Sequence, residues 1–239
     1  MRPVLGILGG MGPAATVLFL ERLVEYTIAT SDQDHIQSVT LMQCDVPDRS
    51  TAISRGDDTP RIAMEGGVVR LEQAGVNFIA IPCNTAMYWY ADLAEASSVP
   101  VLNIISETCR VLRAADIEAV HVWGTFGTRQ CGIYESYLEA HGIPVMPHST
   151  RIQAQLDQLI NAVKEGRYTD FEPLLVGPMN HVLNFDSHIP VVLACTELSL
   201  VFQNANVAVR YVDSLDCLAL RCFDLAGVTH QSPRWLSAL

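Results

Sequence analysis

Two cysteines in this 239-residue chain stand in matching surroundings. In "AIPCNTAM" (80–87) a run of strand formers ends at Cys83, a small polar residue follows and a helical pattern begins; "VLACTELS" (192–199) repeats the arrangement around Cys195. The end of a strand in an α/β sheet is where ligands collect, and a helix N-terminus there is expected to lower a thiol's pKa from about 8.5 towards neutrality. Two such thiols on opposite sides of one cleft suit a carbon acid. One, as thiolate, removes a proton from one face while the other, as thiol, returns a proton to the opposite face, and the carbon is inverted. A cysteine hydrolase would require one thiol paired with a histidine, and no histidine stands in a motif that suggests such pairing. Packing is the ordinary role of a free cysteine. That role is the expectation for Cys44, Cys109, Cys131, Cys217 and Cys222, which lack this setting.

The elements that must position these residues alternate along the chain. Apolar runs at 4–8, 38–44, 77–82, 99–104, 118–123, 143–147, 189–194 and 207–212 read as strands. Between them lie helical patterns, among them 13–26, 61–75, 85–97, 105–116, 129–142, 152–166, 170–184 and one from Ser214. The polar stretch "DVPDRSTAISRGDDTP" (45–60) reads as a loop long enough to be functional. Such alternation predicts an α/β fold with parallel sheets and right-handed crossovers. About eight strands could close into a single barrel. The repeated strand-Cys unit, with a glycine-rich turn opening each half, favours two similar lobes with the site between them.

Composition narrows the function classes. Apolar residues make up 49% and charged residues 17%, as in a compact globular chain. A net charge of -11 with no cluster of Lys and Arg argues against nucleic-acid binding. No apolar run is long enough to span a membrane, and "MRPVLGILGG" lacks a signal peptide's long apolar region, so no membrane partner and a cytoplasmic location are expected. Seven irregularly spaced cysteines without a Cys-x-x-Cys indicate free thiols, with neither a disulfide framework nor a metal site.

Other residues suit a small anionic ligand. "GILGGMGPAAT" lacks the lysine of a phosphate loop and the Gly-x-Gly-x-x-Gly spacing, and fits a glycine turn at a pocket floor. Arg49 in "PDR" could clamp a carboxylate, and Lys164 in "AVKEGR" could add a point charge. Thr125 and Thr128 in "GTFGT" could donate hydroxyl hydrogen bonds or simply shape a turn.

In order, "LGGMGPAAT", "DVPDR", "IPCNTA", "GTFGT", "KEG" and "CTEL" resemble the aspartate/glutamate racemase family, and its cofactor-independent aspartate racemases more closely than its glutamate racemases. The resemblance implies two pseudo-twofold-related lobes, each a parallel sheet flanked by helices. Residues 1–100 plus 211–227 would form the N-terminal lobe, 101–210 the C-terminal lobe and 228–239 a tail. It also implies a homodimer that uses neither pyridoxal phosphate nor metal and interconverts L- and D-aspartate, a small dicarboxylic amino acid.

By motif match, Cys83 and Cys195 would be the acid/base pair, Cys83 acting on the D-enantiomer and Cys195 on the L-enantiomer. Asn84, Thr85 and Thr196 would hold the substrate's α-amino and α-carboxylate groups, Arg49 and Lys164 its carboxylates, and Met11, Thr125 and Thr128 would line the pocket. The chain departs from the family pattern in "MYWY" after "CNTA" and in the bulky "HVWGT", which leaves the pocket's preference open. Glutamate, differing by one methylene, is an alternative, as is another carbon acid of the hydantoin racemase or maleate isomerase type. A non-catalytic ligand-binding protein on the same scaffold is the alternative of another class.

Overall fold

The computed structural model describes residues 2–167, 171–205 and 207–239. The first apolar run forms β1 (Leu5–Gly9), buried along its length, and Pro13 opens α1 (Pro13–Glu25), its φ already set for a helix. Then come β2 (Ser38–Met42), α2 (Arg49–Arg55), α3 (Thr59–Gln73), β3 (Phe78–Ala80), α4 (Tyr90–Glu95) and α5 (Ile104–Ala114). The second half runs β4 (Val120–Gly124), α6 (Phe126–Gln130), α7 (Ile133–Glu139), β5 (Val145–Met146), α8 (Thr150–Lys164) and α9 (Glu172–Phe185). It closes with β6 (Val191–Ala194), α10 (Thr196–Asn204), β7 (Tyr211–Asp213) and α11 (Ser214–Ala226). The predicted start of the α9 helix at Asp170 lies outside the described residues.

Two parallel sheets result, ordered β2-β1-β3 and β5-β4-β6-β7, rather than one closed barrel. The predicted strand at 99–104 shrinks to one parallel bridge, Ile79 to Val101. Pro100 has no N–H for a ladder, and Asn103 is already committed to capping α5, accepting from Ile105 and Ser106 N–H. This stub lies beside β3 as β7 lies beside β6, and Asp213 caps α11 much as Asn103 caps α5. The two halves therefore share one strand order.

β7 corrects the predicted lobe boundary. It pairs with β6, Val191 opposite Tyr211 and Leu193 opposite Asp213, so residues 211–213 belong to the second sheet and not to the N-terminal lobe. From there α11 packs on α5 and reaches α1. One apolar cluster runs from the first sheet through α5 and α11 to the near face of the second sheet. Another fills the space between that sheet's far face and α8, α9 and α10. Along β6, Val192 and Ala194 enter the first cluster and Val191 and Leu193 the second, as a period of two requires.

Local differences from the sequence reading have physical causes. The polar stretch 45–60 contains α2, capped by Asp48, whose Oδ1 accepts from Thr51 N–H at 2.8 Å, and stopped by Gly56 at φ 63°. The predicted helix 85–97 starts as a 3-10 turn, Thr85–Trp89, before α4. The predicted helix 129–142 is broken at Gly132, where φ is 60°. The 228–239 segment is tied down, with Trp235 buried and its Nε1 donating to Asp216 at 2.7 Å. Cys44 is exposed and packs no core; Cys109, Cys217 and Cys222 are buried and Cys131 partly so. No helix among the described residues is long and apolar enough to cross a membrane.

Candidate active site

Strand ends from both sheets meet in one cleft. After β1 the chain turns at Gly10, where φ is 92° and a Cβ would lie 2.5 Å from the Gln43 backbone, so only glycine fits and Met11 is delivered to the cleft. β3 leads to Cys83 and β6 to Cys195, while Thr125 follows β4 and caps α6. From the side, α2 brings Asp48, Arg49 and Ser50, and the end of α8 brings Lys164. Together with Asn84, Thr85, Thr196 and Glu197 these residues line a cavity of about 10 Å³, room for roughly one water. Every predicted site residue except Thr128 is on that wall.

Thr128 sits behind the wall. Its hydroxyl lies 3.0 Å from both the Thr85 and Thr125 hydroxyls, which are 3.3 Å from each other. Ser50 donates to Thr125 at 3.2 Å, and Thr196 donates to the Pro82 carbonyl at 3.3 Å. All of these except the Thr125–Thr128 contact cross between the halves of the chain. The Asn84 amide donates to Ser214 at 3.0 Å and accepts from the Tyr134 hydroxyl at 2.6 Å, which fixes its orientation from both ends.

The electrostatics differ from the sequence expectation at Cys195. Cys195 stands at the N-cap position of α10, but its thiol makes no capping hydrogen bond; it is buried, and its Sγ donates to Glu197 Oε2 at 3.0 Å. Burial, then the Glu197 charge and hydrogen bond, hold its pKa well above the ordinary thiol value, against the pull of Lys164. Cys195 is therefore a protonated thiol, not the thiolate that a helix N-terminus alone would favour. Cys83 is also buried, and it leads into a 3-10 turn rather than an α-helix. Glu197 is itself buried, and its Oε1 has no hydrogen-bond partner among the described residues.

Both cations are engaged by the protein. Arg49 donates to the carbonyls of Met11 at 3.1 Å, Pro47 at 3.2 Å and Val46 at 3.4 Å. Lys164 Nζ lies 3.7 Å from Asp48 Oδ2. Burial works against ionisation of Asp48, but Thr51, Lys164 and Arg49 outweigh it and hold the carboxyl below its usual range. Among the described residues no group of three or more His, Cys, Asp or Glu is arranged to hold a metal ion.

Sequence reasoning missed Asp48, Ser50 and Glu197. One signal was available: Glu197 stands at the second position of a helix opened by a cysteine, close enough to turn back on the thiol.

Comparison with known proteins follows the same lines. The model of the family described as Asp/Glu/Hydantoin racemase matches residues 8–222. Over 220 residues, covering 90% of this chain and 95% of the relative, the sequence is 32% identical to the broad specificity amino-acid racemase RacX of Bacillus subtilis (strain 168). Among solved structures, the aspartate racemase of Picrophilus torridus superposes with a TM-score of 0.85 at 29% identity, covering 98% of both chains. A glutamate racemase from Thermus thermophilus shares the fold at a TM-score of 0.62 and 22% identity, covering 98% of this chain and 85% of that one.

Proposed function

The chain belongs to the Asp/Glu/Hydantoin racemase family, an isomerase on a two-lobed α/β fold, and on that premise we propose that it interconverts L- and D-aspartate without a cofactor, using Cys83 and Cys195. The observation that carries the reading is the pair of thiols, each at a corresponding strand end, on the wall of one small cavity that also holds Arg49 and Lys164. Aspartate is favoured by the likeness to the Picrophilus torridus enzyme and by the presence of two cations for two carboxylates.

In the proposed reaction the Cys83 thiolate removes the α-proton of one enantiomer, and the electron pair is delocalised into the α-carboxylate. Cys195, carrying its proton, delivers it to the opposite face. One S–H bond forms at Cys83 and one breaks at Cys195, so the reverse reaction starts from the state in which the forward one ends. Arg49, Lys164 and the N–H groups at the start of α10 are suited to stabilise the negative charge on carboxylate oxygens in the transition state. Glu197 holds the Cys195 proton through Oε2, and its unpartnered Oε1 is suited to accept from the substrate ammonium.

The test is proton NMR of the purified protein with L-aspartate in D₂O and no added cofactor, followed by chiral analysis. The α-proton signal is expected to fade as D-aspartate appears, and Cys83→Ala and Cys195→Ala are each expected to lower racemisation by about 10³-fold. A single variant with undiminished turnover would end the two-thiol mechanism. The similarity to the broad specificity racemase supports a second reading, a wider range of amino acids, which the same measurement resolves when repeated with glutamate and neutral amino acids. A homodimer is part of the proposal through the family resemblance, and sedimentation at twice the chain mass would bear on it.

A further inference from the structure

The cavity is too small for an amino acid, and the element that closes it carries its own carboxylate. Asp48 caps α2, so its position is set by the Thr51 N–H, and from there Oδ2 reaches across the cleft to Lys164 at the end of α8. The same helix is held on α6 by the Ser50–Thr125 hydrogen bond, and the two helices approach so closely that a Cβ at Gly127 would lie 2.6 Å from Ser50 Oγ. The charges on the cavity wall balance, Arg49 and Lys164 against Asp48 and Glu197.

We propose that Asp48 is a built-in competitor for the carboxylate subsite: it occupies Lys164 until a ligand's carboxylate takes its place. The inference rests on the functional reading above and deepens it, since it makes Asp48 a specificity-determining residue that acts through Lys164. The strength of the contact suits the role. A side-chain pair 34% and 48% exposed at 3.7 Å favours the closed arrangement by no more than about fivefold, so a carboxylate that also gains contacts elsewhere in the site displaces it. A stronger, buried pair would lock the site, and none at all would leave Lys164 free to bind any anion.

Lys164 being the only lysine makes the exchange directly observable. Full-length protein grown with lysine labelled at the ε-carbon gives one side-chain signal, and succinate, a dicarboxylate with no α-ammonium, serves as an unreactive probe. Succinate is expected to shift that signal, and Asp48→Asn, which keeps a capping oxygen, is expected to bind it about fivefold more tightly. Asp48→Ser, a second capping residue without charge, should behave alike and guards against a local folding defect. In a Lys164→Met background the gain from Asp48→Asn, read by calorimetry, should disappear.

Equal or weaker succinate binding in both Asp48 variants overturns the proposal. So does a gain that persists without Lys164, which would reflect net charge alone. Because succinate cannot racemise, these outcomes are independent of the aspartate experiment in D₂O, which tests the functional reading by itself.

Discussion

A thiol that donates to a buried carboxylate titrates later than one at a bare helix end, and Cys195 shows how much the partner matters. Burial and Glu197 both hold its proton, which suits the acid role proposed for it. Glu197→Gln keeps the shape of the side chain and removes the charge that raises the thiol's pKa. The Cys195 pKa should therefore fall, and the basic limb of kcat/KM should move to lower pH in the direction for which Cys195 is the acid. A pH profile that matches the wild type would remove Glu197 from that role. The identity of Glu197 was readable in "CTEL", but its effect was not, because a carboxylate two residues from a thiol shifts it strongly only where both are buried.

At the scale of elements, α2 is where sequence pattern failed, and with its cap it carries three residues of the cavity wall, Asp48, Arg49 and Ser50. Its seven residues, "RSTAISR", have no apolar stripe, so no hydrophobic period announces a helix and only its Asp and Gly ends do. The Asp48 cap at one end, Gly56 at the other and docking on α6 hold it. Gly127→Ala tests that docking. An added Cβ would lie 2.7 Å from the Ser50 Cα as well as 2.6 Å from its hydroxyl, so backbone and not only a side chain must shift. The variant is expected to lose about 1–3 kcal/mol of stability in urea and to lower kcat/KM by displacing Arg49 and Ser50 from the cleft. Unchanged values in both measurements would mean that the α2–α6 contact constrains neither folding nor the site.

For the molecule as a whole, β4 carries a buried histidine the chemistry does not use. His121 has both ring nitrogens buried without hydrogen-bond partners among the described residues and packs edge-on against His181 and Phe185. Burial first, with His181 and His148 adding to it, lowers its pKa from 6.5 to about 4. Between those values the unfolded chain binds a proton at this position that the folded chain does not, so the His121 contribution to stability falls as pH drops through that window, while Asp213, raised to about 7 by burial and by Asp216, works in the opposite direction. The His121 share between pH 7 and pH 5 is expected to be about 2 kcal/mol, read as the difference between urea titrations of the wild type and of His121→Phe at the two pH values. An identical pH dependence in the variant would assign the acid sensitivity elsewhere.

The sequence by itself determined the alternation of strands and helices, the repeated thiol at two strand ends, and nine of the twelve residues on the cavity wall. Each of these is a local property, carried by residue type and by position within one element. Only the tertiary structure decided that residues 211–213 extend the second sheet, that the polar stretch after β2 folds onto α6, and that Cys195 and Lys164 each meet a carboxylate. Those depend on which segments approach within a few ångströms and on how much water they exclude. Ladder bonds and charge interactions fall off too steeply with distance, and change too much with burial, for residue order alone to state them.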